Sequence, residues 1–370
     1  MSSVTTPDPQ RYSRHFVLPG FGAEGQQRLR HAKVVVVGAG GLGCPVLQYL
    51  TAAGVGQITL VDDDNVQLNN LQRQILFAGS DIGRNKAQAA ASHLHALNPD
   101  TRINAISARL NTSNAMDILR GHHLVMDCTD NFATRYLIND ACTLLGLPWV
   151  YGSVFQYEGQ VSMFNLNGSV TYRDLFPLPP KPGRVQDCET AGVLGVLAGI
   201  IGSLMANEAL KVLAQLEQPL RNTLLVFDAR TNLTELFSVP DRQARKSVTK
   251  LIDYDEFCGT KKDLPMKEVT VQELKQLMDS GADFQLIDVR EPHEYDICNL
   301  NGELIPQAQV PFNVDKISRD KQVVVHCRSG GRSGTMVNWL EKNHGFTNLY
   351  NLKGGILAWA DQIDPTVTKY

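Results

Sequence analysis

Cys327 follows the apolar run Gln322-Val-Val-Val-His326 and opens the stretch Cys-Arg-Ser-Gly-Gly-Arg-Ser333. A strand running into a glycine-rich turn, with a helix behind it, predicts successive backbone N–H groups facing the cysteine and a helix N-terminus beside it. These groups, together with the guanidinium ions of Arg328 and Arg332, favour a thiolate and any anion next to it. The chemistry is therefore nucleophilic. Cys327 attacks, and Arg328, Ser329, Gly330, Gly331 and Arg332 cradle what it carries. The alternative is a buried packing cysteine, and two flanking arginines argue against it.

Spacing narrows the cargo. Cys327 and Arg332 stand as C-x4-R, whereas tyrosine and dual-specificity phosphatases use C-x5-R. The loop resembles the active-site loop of the rhodanese family, whose smaller cradle implies a sulfur atom held as a persulfide. Phe284-Gln-Leu-Ile-Asp-Val-Arg-Glu-Pro-His-Glu-Tyr295 reads as a buried strand, a turn and a helix start, and is similar to that family's Asp-Val-Arg-Glu signature. Leu352-Lys-Gly-Gly-Ile-Leu-Ala-Trp359 is similar to its usual ending, so the resemblance spans about residues 265–363. Asp288 and Arg290 read as a structural ion pair, and Cys298 is an open candidate for a resolving thiol.

A second constellation lies near the other end. Gly38-Ala-Gly40-Gly41-Leu-Gly43 fits G-x-G-x-x-G between an apolar strand and a helix, and Asp62 closes the next strand about 20 residues on. The glycines let backbone N–H groups approach a phosphate, and Asp62 can bond ribose hydroxyls. That much alone predicts an NAD-dependent oxidoreductase, here with a regulatory rhodanese module. Asn69-Asn70-Leu-Gln-Arg73-Gln74, Lys86 and Asp127-Cys-Thr-Asp130-Asn131 shift the expectation. A Lys, an Arg and an extra Asp at strand ends suit a triphosphate with Mg²⁺ better than a nicotinamide pair.

With Arg11-Tyr-Ser-Arg14-His15 and Cys188-Glu-Thr-Ala-Gly-Val-Leu-Gly195, these motifs resemble the ubiquitin-activating-enzyme-like superfamily over about residues 10–240. The likeness is greatest to its sulfur-carrier branch, the molybdopterin-synthase and thiamine-pathway adenylyltransferases. The resemblance implies that the glycine loop and Asp62 hold ATP, that Asn69, Asn70, Arg73 and Lys86 contact the phosphates, and that Asp130, beside Asn131, holds Mg²⁺. It implies that Arg14 reaches the site of a second subunit, making a homodimer. Cys188 is either a covalent attachment point for the activated carrier or a packing cysteine at a helix start. Relatives usually carry two C-x-x-C pairs binding zinc; the corresponding places here are Thr171-Tyr-Arg-Asp174 and Asp255-Glu-Phe-Cys258, so no zinc is expected. The partners implied are a ubiquitin-like sulfur carrier ending in Gly-Gly and a sulfur donor such as a cysteine desulfurase or thiosulfate. The carrier's terminal glycine would be adenylated and converted to a thiocarboxylate, for molybdopterin or, by the same chemistry, for thiamine or tRNA thiolation.

The elements that must position these residues alternate strand and helix. They predict an α/β chain: a Rossmann-like domain over 1–240, its mainly parallel sheet extended by antiparallel strands, a linker over 241–264, and a smaller α/β rhodanese domain over 265–370. Asn167-Gly168 predicts a hairpin between strands at 160–165 and 170–172. A length of 370 residues allows two or three domains, and a net charge of −3 points to neither nucleic acid nor an anionic membrane. The apolar stretch Val193–Ala206 is too short to span a bilayer and reads as a buried helix. Seven cysteines without regular spacing argue for free thiols and a reducing, cytoplasmic setting.

Overall fold

A computed structural model describes residues 7–180, 192–240, 248–259 and 266–370. The chain divides into two units, Met1–Lys261 and Lys262–Tyr370. The first is built on an eight-stranded sheet of order β3-β2-β1-β4-β5-β6-β7-β8. Strands β1 (Lys33–Val37), β2 (Gln57–Val61), β3 (Arg102–Ile106), β4 (Leu124–Asp127) and β5 (Trp149–Phe155) run parallel. Then β6 (Glu158–Phe164), β7 (Thr223–Asp228) and β8 (Leu233–Ser238) add on antiparallel.

The run of valines in β1 is explained by layers on both faces. Side chains alternate along a strand, so Val34 and Val36 enter one core and Val35 and Val37 the other. The first core holds the helices α2 (Gly22–His31), α3 (Gly43–Ala52), α4 (Lys86–Leu97) and the long apolar helix Gly195–Leu213. The second holds α5 (Ala115–Leu119) and α6 (Phe132–Leu145). Each fully buried valine contributes about 1.5–3 kcal/mol of transfer free energy. The helix Gly195–Leu213 is apolar because it covers β5 and β6; its single buried acid, Glu208, accepts a hydrogen bond from Leu220 N at 2.7 Å.

Three expectations change. The strand β3 has no strong apolar alternation and escaped the sequence reading. Asn167-Gly168 makes no hairpin; it forms one tight turn, and Val170 N and Tyr172 N donate to the side chains of Asn222 and Asn139 instead of to a ladder. Residues 251–258, read as linker, pack into the second core through Leu251, Ile252, Tyr254, Phe257 and Cys258.

The second unit is a five-stranded sheet of order β11-β10-β12-β13-β9, parallel throughout. Its strands are β9 (Glu268–Val269), β10 (Phe284–Asp288), β11 (Glu303–Leu304), β12 (Gln322–His326) and β13 (Leu349–Leu352). The valines of β12 divide between two cores as those of β1 do: Val323 and Val325 face one, Val324 the other.

Candidate functional site

In the first unit the chain order reverses between β1 and β4, and open parallel sheets bind ligands at the carboxyl edge of such a reversal. Gly38 leaves β1 with φ +95°, and a Cβ there would stand 2.7 Å from the carbonyl oxygen of Cys128, just past β4. Only glycine lets the two loops touch. Gly40 and Gly41 follow, and Gly43 begins α3, where Cys44 N donates back to Gly40 O at 3.0 Å and closes the loop onto the helix.

Asp62 directly follows β2 and braces the glycine loop: its Oδ2 accepts from Ala39 N at 2.7 Å and its Oδ1 from Asp64 N at 2.9 Å. Burial pushes its carboxyl above the usual range, and the two amides and the Lys86 charge only partly offset that. Lys86 starts α4 with its stem buried and its Nζ 2.9 Å from Asp64 Oδ2. Asp64 is a counterion that the sequence reading missed, although Asp62-Asp-Asp64 displays it. The stem of Arg73 lies beside Gly41, where a Cβ would sit 3.4 Å from Arg73 Cγ, and its Nη1 donates to Asn69 O at 3.0 Å. Glycine loop, Asp62, Lys86 and Arg73 thus come together.

Other expected ligands are already engaged. Asn70 is buried; its Oδ1 accepts from Gln67 N at 3.2 Å and its Nδ2 donates to Asn69 Oδ1 at 3.1 Å, so this pair shapes the turn carrying Arg73. Asn131 caps α6, accepting from Thr134 N at 2.9 Å. Gln74 was not assigned a role, yet it is 3 % exposed beside Gly40, and its Oε1 has no partner among the described residues. Asp130 is exposed and without an ion-pair partner among the described residues. Its neighbour Asp127 is buried against Arg135 Nε at 3.0 Å, and this pair, with Arg135 over the Tyr151 ring, fixes the end of β4.

Arg14 does not join them. Its helix α1 (Ser13–Phe16) is anchored through Tyr12, whose hydroxyl accepts from Asn98 Nδ2 at 2.8 Å beside Gly54, past the far end of α3. A ten-residue helix puts about 15 Å between that end and the glycine loop. Cys188 lies outside the described residues.

The places corresponding to a zinc ligand set hold different chemistry. Asp174 accepts from Thr171 N at 2.7 Å in a helix cap. Arg173 grips Asp140 through two hydrogen bonds of 2.7 Å and lies 4.8 Å from the centroid of Phe257 and 4.9 Å from that of Tyr136. Tyr254 adds a hydrogen bond to Asp140 at 2.7 Å. Among the described residues no cluster of three or more metal-ligating side chains exists. Cys258 is 6 % exposed, and burial pushes its thiol up to about 11.

In the second unit Cys327 follows β12 directly and is 1 % exposed. Burial by itself would raise its pKa. Hydrogen bonds from Ser333 Oγ, 3.3 Å away, and from the backbone N–H groups of Ser333, Ser329 and Gly330 outweigh that, and the thiol lies below its ordinary value. The backbone N–H groups expected at this turn are thus present and the Ser333 hydroxyl joins them, while the two arginines, also expected to favour the thiolate, hydrogen-bond to other groups. Arg332 meets Glu294 with two bonds of 2.6 and 2.7 Å, which hold the Glu294 carboxyl down at about 2. Neither Ser333 nor Glu294 was singled out from sequence, because a hydroxyl at a helix start and an acid on a distant helix carry no local signal.

The loop rests on a backbone pad. Ile356 N and Leu357 N donate to the carbonyls of Cys327 and Arg328 at 2.9 and 3.1 Å. Gly355 has φ +61°, and a Cβ there would come within 2.5 Å of Cys327 O, which explains Gly354-Gly355. Asp288 and Arg290 form the expected buried pair, with Arg290 Nε 2.9 Å from Asp288 Oδ1. His326 is fully buried with its Nε2 3.6 Å from Asp288 Oδ2 and without a hydrogen-bond partner among the described residues, and burial, only partly offset by Asp288, pushes it down to about 4.

The model of the ThiF family matches residues 12–248, and that of the rhodanese-like domain matches residues 270–362. Over the whole of the chain it is 41 % identical to the probable adenylyltransferase/sulfurtransferase MoeZ of Mycobacterium tuberculosis, covering 97 % of that protein. The chain belongs to the ThiF family. This ThiF-family chain is also 36 % identical to the adenylyltransferase and sulfurtransferase MOCS3 of Drosophila yakuba, with 100 % of the chain and 86 % of that protein aligned. Like these relatives it is an adenylyltransferase and sulfurtransferase, with a ThiF part followed by a rhodanese-like domain. Among solved structures, Escherichia coli MccB with ATP superposes with a TM-score of 0.57 at 20 % identity, covering 66 % of this chain and 75 % of that one, a likeness of fold.

Proposed function

We propose that the first unit uses ATP with Mg²⁺ to adenylate the C-terminal glycine of a ubiquitin-like sulfur carrier, and that Cys327 delivers sulfur to the activated carbonyl. The observation that carries this reading is the gathering of the glycine loop, Arg73 and Lys86 at one strand edge, on the same chain as an activated cysteine in a C-x4-R loop. An ionised carboxylate needs no base to attack the α-phosphorus of ATP. It needs the phosphates neutralised and held in line, the task of Arg73 and Lys86, with the Asp64 contact of Lys86 giving way to phosphate. Asp130, exposed and without an ion-pair partner among the described residues, is a carboxylate of the kind that holds Mg²⁺ alongside phosphate oxygens, and the ion would supply further neutralisation of the leaving pyrophosphate.

For the sulfur step, the Cys327 thiolate attacks the outer sulfur of a donor such as thiosulfate, sulfite leaves, and a persulfide remains. Its terminal sulfur attacks the acyl-adenylate carbonyl and AMP leaves, giving an acyl disulfide. A second thiol then attacks the Cys327 sulfur, releasing the carrier thiocarboxylate and forming a disulfide that a dithiol reductant reduces. We infer molybdopterin synthesis as the pathway, from the resemblance of the motifs to the sulfur-carrier branch; thiamine synthesis and tRNA thiolation use the same chemistry on other carriers. We further infer a homodimer in which Arg14 serves the partner's site, a corner at Arg173 held without zinc, and residence in the cytoplasm.

Carrier-dependent ATP–pyrophosphate exchange tests the reading. It should be seen with a Gly-Gly-ended carrier and fall at least about a hundredfold in Asp130→Ala or Lys86→Ala, as for loss of a charge-stabilising group. Cys327→Ala should leave exchange intact and abolish thiosulfate:cyanide sulfurtransfer. Absence of exchange with every carrier of a panel drawn from the three pathways would refute it.

A further inference from the structure

Tyr370 closes a ring of contacts around the Cys327 loop. Its hydroxyl accepts from Arg290 Nη1 at 2.8 Å and donates to Glu294 Oε1 at 2.9 Å. Glu294 is the residue that grips Arg332. The main-chain oxygen of Tyr370 accepts from Arg328 Nη2, and the Arg328 guanidinium stands 5.3 Å from the centroid of the Tyr370 ring. The approach to this position is itself anchored: Cys298 Sγ donates to Thr368 O at 3.2 Å, and Val367 packs against the core under β13. One side chain therefore touches Arg328 directly and Arg332 through a single carboxylate, and is tied back to the buried Asp288–Arg290 pair.

An arginine on a glycine-rich loop has many rotamers, and an anionic substrate must select one of them. Contacts that fix the side chain beforehand remove that cost from binding. Glu294 alone fixes Arg332, but without the Tyr370 hydroxyl its Oε1 loses a donor and the pair loses its link to Arg290. Arg328, exposed on the loop, has Tyr370 as its side chain's described partner.

We propose that Tyr370 is a positioning residue for sulfur transfer, ordering Arg328 and, through Glu294, Arg332 for an anionic sulfur donor at Cys327. The proposal rests on Cys327 being the sulfur-carrying residue. It assigns Tyr370 no contact with the reacting sulfur.

The test uses the full chain and two readouts. In thiosulfate:cyanide sulfurtransfer, Tyr370→Phe should raise KM for thiosulfate about threefold to tenfold, the worth of one or two hydrogen bonds, with kcat nearly unchanged. Tyr370→Ala, losing the ring as well, should raise it further. In the second readout, Cys327 is alkylated with anionic iodoacetate and with neutral iodoacetamide. The ratio of the two rates should fall several-fold in Tyr370→Ala and by a smaller factor in Tyr370→Phe, which keeps the ring beside Arg328, a charge selectivity that a purely structural role would not move. Unchanged KM and an unchanged ratio would overturn the proposal, as would a rise in kcat/KM, which would make Tyr370 an obstruction. Sulfurtransfer that survives Cys327→Ala would instead defeat the reading of Cys327, while the alkylation ratio would still judge Tyr370.

Discussion

Cys327 is activated by hydrogen bonds to sulfur, and the Ser333 hydroxyl is the one supplied by a side chain. It lies 3.3 Å from Sγ and 2.6 Å from the Asn351 amide oxygen. One hydroxyl proton cannot serve both, and an amide turned over would donate to Oγ and leave that proton for the thiolate. A hydrogen bond to a charged group is worth about 1.5–3 kcal/mol. Ser333→Ala should therefore raise the midpoint of the pH profile for Cys327 alkylation by about one to two units. His326 gives a second prediction at this scale. Its folded pKa of about 4 lies below the ordinary 6.5, so the unfolded chain binds the proton more readily. The stability it contributes is complete above pH 6.5 and is lost as pH falls towards 4, to a total of about 3 kcal/mol. The unfolding midpoint of the second unit should drop across that window, and less steeply in His326→Leu.

Between elements, side chains take over work for which the sequence shows no motif. The Asp127–Arg135 pair ties β4 to α6, and Arg173 ties the short helix Tyr172–Leu175 to α6 through Asp140 and the Tyr136 ring and to the helix Tyr254–Phe257 through the Phe257 ring. Asp140 is 2 % exposed, and removing one partner of a buried pair costs about 3–5 kcal/mol. Arg173→Ala should lower the unfolding midpoint of the first unit by an amount at the lower end of that range, since Tyr254 still bonds Asp140. Treatment of the intact enzyme with a chelator should leave the same midpoint unmoved; a drop would restore a metal to this corner.

For the whole molecule the decisive question is the site that Arg14 serves. It stands at the end of α3 away from its own glycine loop, so a role in adenylation requires a second copy of the chain. Arg14→Ala and Lys86→Ala, each inactive in exchange, should complement when mixed and allowed to reassort. Half of the dimers would then be mixed, each with one intact site, returning about a quarter of wild-type exchange. No recovery would place Arg14 elsewhere in the mechanism. Sequence alone determined the two chemistries, since phosphate approach and a cradled thiolate demand glycines and charges at fixed short spacings, and the apolar valine runs that mark β1 and β12 as buried parallel strands. It could not reveal Ser333 on Cys327, Glu294 on Arg332, or residues 251–258 as core instead of linker. Those depend on which distant side chains the folded backbone brings within 3 Å or so of one another, a matter of register and packing that spacing along the chain does not encode.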